Sequence, residues 1–301
     1  MMRNFVGLGV ALIMGMAANA NADRCPNAWP AQGENYASGT IDNTGYSYEV
    51  WRDGYIASLE CFDNGGYEVY LKAVSSAVVR FGLQFDEPKT FDQFGNFAAD
   101  YNYDESANVA GYYFIGIYGV TTEPHIEYYI IDDWRLADTI AAETIFGEKV
   151  GEFTVDGDTY DIWQNTANKE PRVQGDMSFK QYFNIRRNTR KSGHIDVTAH
   201  FKKWEELGMK VGKLVDLKAL VEAWSAANHI TLINFSKFEI TETADTSSVT
   251  PADSTGGTTA ILKRASQPVL NKDYRLFDMQ GRYLGTGEKK LSPAIKAVKK
   301  R

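Results

Sequence analysis

A repeated period-two pattern constrains this chain more than any other feature of its sequence. Apolar or aromatic residues alternate with polar ones in "YSYEVW", "GYEVYLKAV", "AVVRFGL", "VAGYYFIGIYGV", "IEYYIID", "EFTVDGDTYDIW", "QYFNIRR", "HIDVTAHF" and "ITLINFSKFEIT". Successive side chains of a strand point to opposite faces, so runs of this kind bury one face of a sheet and leave the other for solvent or a second layer. Turn formers such as "DNGG" and "VDGDT" separate the runs, as hairpins require. The spacing predicts an all-β fold, an antiparallel sandwich or jelly roll. Helical spacing is confined to "HFKKWEELGM" (200–209) and to "LVDLKALVEAWSAAN" (214–228). In the second stretch Leu214, Leu217, Leu220, Val221 and Trp224 fit one face of an amphipathic helix, so helix and strand stay open there.

The ends of the chain differ from its body. Residues 1–22 read as a secretory signal: Arg3, an apolar stretch from Phe5 to Met16 too short to span a bilayer, and the small-residue cleavage site Ala20-Asn21-Ala22. No later segment is long and apolar enough to span a membrane, so the mature protein is expected outside the cytoplasm. In such a compartment disulfides persist, and Cys25 and Cys61, the two cysteines, are expected to bridge the N-terminal arm to an early strand, with unpaired thiols as the alternative. "TETADTSSVTPADSTGGTTA" (241–260) has little to bury and reads as a Ser/Thr-rich linker. Beyond it, residues 262–301 hold eleven Lys and Arg against three Asp and Glu, although the whole chain carries a net charge of -7. An acidic body with a basic tail excludes nucleic acid as the body's target. The expected division is a signal at 1–22, a jelly-roll domain at 23–243 with an arm at 23–44, a linker at 244–262, and a small basic segment at 263–301 holding a short strand pair around Gly281.

Several chemistries are missing from the mature sequence. It has no G-x-S-x-G elbow, no phosphate-cradling Gly loop and no Cys or His pair at zinc-ligand spacing, and its four histidines are scattered. No cofactor or metal is expected. Asp156, Asp158 and Asp161 suggest an Asp-Gly hairpin turn rather than calcium, since the rest of a calcium loop is missing. In "EPHIEYYIIDDW" (123–134), however, Glu127 stands among Ile126, Tyr128, Tyr129 and Ile130. A carboxylate in such a strand costs several kcal/mol unless something pairs with it. Residues two apart share a face, so Glu127 and Tyr129 point into one cleft while Ile126, Tyr128 and Ile130 point away. Carboxylates on a sheet lined with aromatics suit a carbohydrate: sugar rings stack on Trp and Tyr, and glycoside hydrolysis needs two carboxyl groups astride the bond.

These residues carry a family resemblance. "YGVTTEPHIEYYIIDDW" resembles the "YGWTRNPLVEYYIVDSW" hairpin of glycoside hydrolase family 11, the β-jelly-roll endo-β-1,4-xylanases. "GYSYEVWRDG", "PKTFDQFGNFAADY" and "YDIWQNTANKEPRVQGD" are similar to that family's early cleft strand, its "TKTYQQLGNISINY" stretch and its thumb hairpin, and "SFKQYFNIRRNTRKSGHIDVTAHFKKWEELGMKVG" follows its strand, finger and single-helix order. The resemblance runs from Gly45 to Leu232. It implies a jelly-roll sandwich of two curved antiparallel sheets with one helix, and a monomeric retaining xylanase acting on internal bonds of xylan.

The resemblance also implies roles. Glu127 falls on the nucleophile, Tyr118 on the Tyr that hydrogen-bonds it, Tyr129 on the Tyr beside the scissile bond, and Trp51 on the Trp that stacks on a xylose ring. Pro171 at the thumb tip and Gln181 fall on sugar contacts. Glu222, thirteen residues after Met209, falls on the acid/base. Trp224 then takes a neighbouring Tyr's place, and Glu239 is the reserve for the acid. The family's thumb Arg falls on Ala167, its thumb-tip Ser on Arg172, its hairpin Trp on Val120, and the Asn or Asp beside the acid on Ser76. Those departures leave a second reading, a non-catalytic xylan-binding jelly roll. The tail resembles C-terminal sorting domains of secreted polysaccharide-degrading enzymes, which implies contact with secretion machinery or the cell surface. A cell-surface structural protein is the third reading.

Overall fold

A computed structural model describes residues 25, 28–41, 44–106, 112–136, 138–168 and 178–244, and the backbone of 274–277 and 283–287. The signal expected at 1–22, most of the linker, and Pro171 and Arg172 lie outside the described residues. No described helix is long and apolar enough to cross a membrane.

The described strands are β1 (Tyr36–Ile41), β2 (Tyr46–Cys61), β3 (Tyr67–Gln84), β4 (Asn96–Ser106), β5 (Tyr112–Thr122), β6 (Ile126–Arg135), β7 (Glu148–Val155), β8 (Asp158–Asn168), β9 (Ser178–Arg186), β10 (Ser192–Ile195), β11 (Lys213–Leu214) and β12 (Asp216–Thr243). Two α-helices, α1 (Ala142–Phe146) and α2 (Val197–Glu206), and one turn of 3-10 helix at Phe91–Gln93 interrupt them. The order is β1-β2-β3-β12-β5-β6-β9-β8-β7, with β4 on the far half of β12 and β10 beside β4. A last pair, β13 (Tyr274–Phe277) and β14 (Tyr283–Gly287), forms its own two-stranded sheet on either side of Gly281, which lies outside the described residues.

This is the β-jelly roll expected, with differences of detail. Its layers belong to one hydrogen-bonded sheet curled on itself, because β12 is long enough to pair with β3 and β5 over its first half and with β3 and β4 over its second. One pairing, β6 with β9, is parallel. The chain leaves β6, passes α1 to the outer edge, and returns through the β7–β8 and β8–β9 antiparallel pairs, so β9 reaches β6 running the same way.

Alternation along the strands sorts side chains into two apolar clusters. Val79, Phe81, Ile117, Tyr128, Ile130 and Val221 join the larger core inside the curl. Their sequence neighbours Val78, Tyr118, Tyr129, Ile131 and Leu220 join Phe114, Trp163 and Phe183 on the opposite face. The central strands are therefore apolar on both faces. That settles residues 214–228 as strand: with Leu217, Ala219, Val221 and Ala223 buried on one side and Leu220 on the other, alternation vanishes and the run imitates a helix.

The helix that does form, α2, opens three residues before the expected "HFKKWEELGM", because Asp196 caps it by accepting from the Ala199 N–H at 2.9 Å. Its buried residues Val197, His200, Phe201 and Trp204 keep the 3.6-residue period, and Phe201 and Trp204 pack on the core-side ring of Tyr128. The Asp-Gly turn behaves as read: Asp156 (φ 52) and Gly157 (φ 78) are both left-handed between paired Val155 and Asp158, the geometry of a tight two-residue hairpin. Cys25 and Cys61 form a disulfide.

Candidate active site

Glu127 owes its position to the β5–β6 hairpin. The register sets Glu127 opposite Val120 and Tyr129 opposite Tyr118, so the three polar groups emerge on the face away from the main core. Glu127 is only 2% exposed, and three donors meet its carboxylate. The Tyr118 hydroxyl donates to Oε1 at 3.2 Å, the Tyr129 hydroxyl to Oε2 at 3.3 Å, and the Gln181 amide to Oε2 at 2.8 Å. Gln181 comes from β9 through the parallel pairing that sets it beside Glu127. Burial pushes both phenols well above the usual tyrosine range, so they remain donors. Three hydrogen bonds offset the desolvation that the sequence made conspicuous.

Glu222 lies on the same face. On β12 it pairs with Val78 of β3 and Phe114 of β5, and Val78 pairs in turn with Trp51 of β2. Trp51, Val78, Glu222 and Phe114 thus form one row across the sheet. Glu222 is half-buried and acts electrostatically on Arg80 and on Tyr129, which ties it to the neighbourhood of Glu127. Trp224, one row outward, stacks on Tyr112 with ring centroids 4.9 Å apart and meets Phe114 edge-on at 5.0 Å. Glu239 pairs with Asp100 on β4 and is exposed, away from that row.

Of the residues flagged as departures, Arg172 lies outside the described residues and the other three have defined partners. Ser76 sits opposite both Trp224 and Asp53. Ala167 pairs with Phe179 near the end of β8, and Val120 is buried opposite Glu127. Among the described residues no cluster of His, Cys, Asp and Glu could hold a metal ion. Asp156, Asp158 and Asp161 instead accept from the Asp196 N–H, from Asn188 and Thr159, and from Arg187.

The sequence reading missed a buried charge cluster beside the two carboxyls. The Lys218 ammonium lies 2.7 Å from Glu49 Oε1 and 3.1 Å from Asp216 Oδ1, and Arg80 lies 3.6 Å from Glu49 Oε2. Burial alone would lower the Lys218 pKa, but Asp216 and Glu49 outweigh it and hold the group above its usual range. The available signal was the one that exposed Glu127: a charge inside an apolar strand, as in "YSYEVW", "AVVRFGL" and "LVDLKALV".

Comparisons with known proteins point one way. The family model described as "Glycosyl hydrolases family 11" matches residues 43–232. The chain is 39% identical over 263 residues to endo-1,4-beta-xylanase C of Fibrobacter succinogenes (strain ATCC 19169 / S85), covering 85% of this chain but 43% of that protein. It is 35% identical to endo-1,4-beta-xylanase A of Bacillus pumilus over 201 residues, 66% of this chain and 85% of the relative. The crystal structure of ENZbleach xylanase wild type is similar to it with a TM-score of 0.63 at 32% identity, over 72% of this chain and 87% of that one. The chain spans less than half the length of the Fibrobacter relative.

Proposed function

Because this chain belongs to glycosyl hydrolases family 11, we propose that it is an endo-1,4-β-xylanase that cleaves internal bonds of xylan with retention of configuration. The observation that carries the reading is the pairing of Glu127, held by Tyr118, Tyr129 and Gln181, with Glu222 on the same aromatic-lined face. The relatives' names and the family match support the substrate.

In this mechanism xylan lies along the row containing Trp51, with a sugar ring stacked on its indole, while Trp224 extends the aromatic surface. Glu127 attacks the anomeric carbon, and Glu222 gives its proton to the leaving glycosidic oxygen. The bond breaks with formation of a covalent xylosyl ester on Glu127. Glu222, now a carboxylate, takes a proton from water, and the hydroxide so generated displaces Glu127 and regenerates both groups. Tyr118, Tyr129 and Gln181 hold the nucleophile and solvate the carboxylate when it leaves. Residues 1–22 are proposed as an export signal, and 263–301 as a sorting or anchoring segment.

Product stereochemistry tests the assignment. Proton NMR of fresh xylo-oligosaccharide hydrolysate is expected to show the β-anomer first. A 2-fluoro-xyloside with a good leaving group is expected to label Glu127, as located by peptide mass analysis. An initial α-anomer, or a label elsewhere, excludes the double displacement. Xylan binding without cleavage favours the binding-module reading, which Ala167 and Ser76 motivate.

A further inference from the structure

The reaction proposed above leaves Arg80 unused, although it lies on the same face of the sheet as the two carboxyls. Its guanidinium carbon is 3.7 Å from the ring centroid of Tyr118, the tyrosine that donates to Glu127, and its Nη1 lies 3.6 Å from Glu49 Oε2. The register sets Arg80 opposite Leu220 and Val78 opposite Glu222. Arg80 and Glu222 are therefore diagonal neighbours on one face, a relation that separates them by about 7–8 Å at the backbone and lies within reach of a long side chain.

We propose that Arg80 is a positioning residue for the acid/base: its guanidinium, held by Glu49 and by the ring of Tyr118, sets how readily Glu222 releases its proton. The proposal rests on the reading of Glu127 and Glu222 as the catalytic pair. Desolvation opposes the charge on Arg80, and among the groups that act the other way are the carboxylates of Glu49 and Glu222. The attraction is mutual, so a cation there favours the Glu222 carboxylate.

Among the described residues the other charged and titratable groups around Glu222 do not supply the same effect. From β2 come Glu49 and, further out, Asp53; from β5, Tyr112 and Tyr118; from β6, Glu127 and Tyr129; and from β12 itself, Asp216 and Lys218. The carboxylates oppose ionisation of Glu222, and the phenols, held protonated by burial, carry no charge that favours it. The Lys218 cation is already shared between Glu49 and Asp216. Arg80 is the described cation one diagonal step away.

Titration of the Glu222 side-chain carbon by 13C NMR, assigned with Glu222→Gln, tests this on the full chain. Arg80→Met is expected to move the Glu222 titration up by about one pH unit, and Arg80→Lys to return most of that shift. The basic limb of kcat/KM against pH should follow, since the acid must be protonated at the start of the reaction. Arg80→Met leaves Glu49 with less compensation and can compromise folding. The double variant Arg80→Met, Glu49→Gln removes the pair together and should still shift Glu222 upward by a smaller amount. An unmoved Glu222 titration in the folded variants overturns the proposal, even if the parent cleaves xylan. A shifted titration in a parent that does not cleave xylan supports the charge coupling and overturns the catalytic reading instead.

Discussion

Tyr118 reaches Glu127 from the neighbouring strand at 3.2 Å while its ring carries the Arg80 guanidinium. A hydrogen bond to a charged group contributes about 1.5–3 kcal/mol. If that bond strengthens as the nucleophile departs, Tyr118→Phe should lower kcat about 10–100-fold with little change in xylan affinity, as steady-state kinetics and pull-down on insoluble xylan would show. Equal losses in binding and kcat/KM would assign Tyr118 to ground-state binding. Glu127 and its tyrosine partners were legible in the sequence because a carboxylate inside an aromatic strand has few physical explanations. Arg80 and Lys218 carried the same signal and were missed. A lone basic residue in a strand also fits an exposed face, and only the register of β3, β12 and β2 reveals that these meet Glu49.

Strand β12 shows why local pattern alone could not separate helix from strand at 214–228. Both of its faces are buried over residues 214–221, and it is flanked by β3 and β5, so the information that fixes it lies in partners distant in sequence. Helix α2 is the opposite case, with a cap, a period and a core face all contained in one short segment. The N-terminal arm depends on a covalent link. Cys25 and Cys61 are 36 residues apart, and closing a loop of that size stabilises the fold by roughly 3–4 kcal/mol in the chain-entropy account. Cys25→Ala with Cys61→Ala is expected to lower the urea midpoint correspondingly. An unchanged midpoint would mean that the arm's packing does not couple to global unfolding.

At the scale of the whole molecule, strand count, aromatic alternation and turn residues were enough for an antiparallel sandwich or jelly roll, and the family resemblance chose the jelly roll, while the continuity of its sheet and the parallel β6–β9 contact depend on long-range closure that no window of sequence contains. The buried centre also sets an acid limit. His200 Nδ1 faces the Asn184 amide at 2.5 Å, and Trp204 donates to the Asn184 oxygen at 2.9 Å, so Asn184 presents its NH2 to a neutral imidazole. Burial lowers the His200 pKa to about 3, with the Arg190 and Arg186 charges adding to it. The unfolded histidine binds a proton below about pH 6.5 and the folded one does not until about pH 3. Stability should therefore fall as pH drops through that window, by roughly 1.4 kcal/mol per pH unit at most from this group. Urea unfolding at stepped pH should be less acid-sensitive in His200→Gln, and equal slopes would remove His200 as the cause. The central claim is that Glu127 and Glu222 make one hydrolytic pair. It is tested most directly by release of reducing ends from glucuronoxylan and arabinoxylan by the parent chain, Glu127→Gln and Glu222→Gln. Cleavage by the parent, lost in both variants with xylan binding retained, is the expected result; full activity in either variant, or no cleavage by a folded, xylan-binding parent, would contradict it.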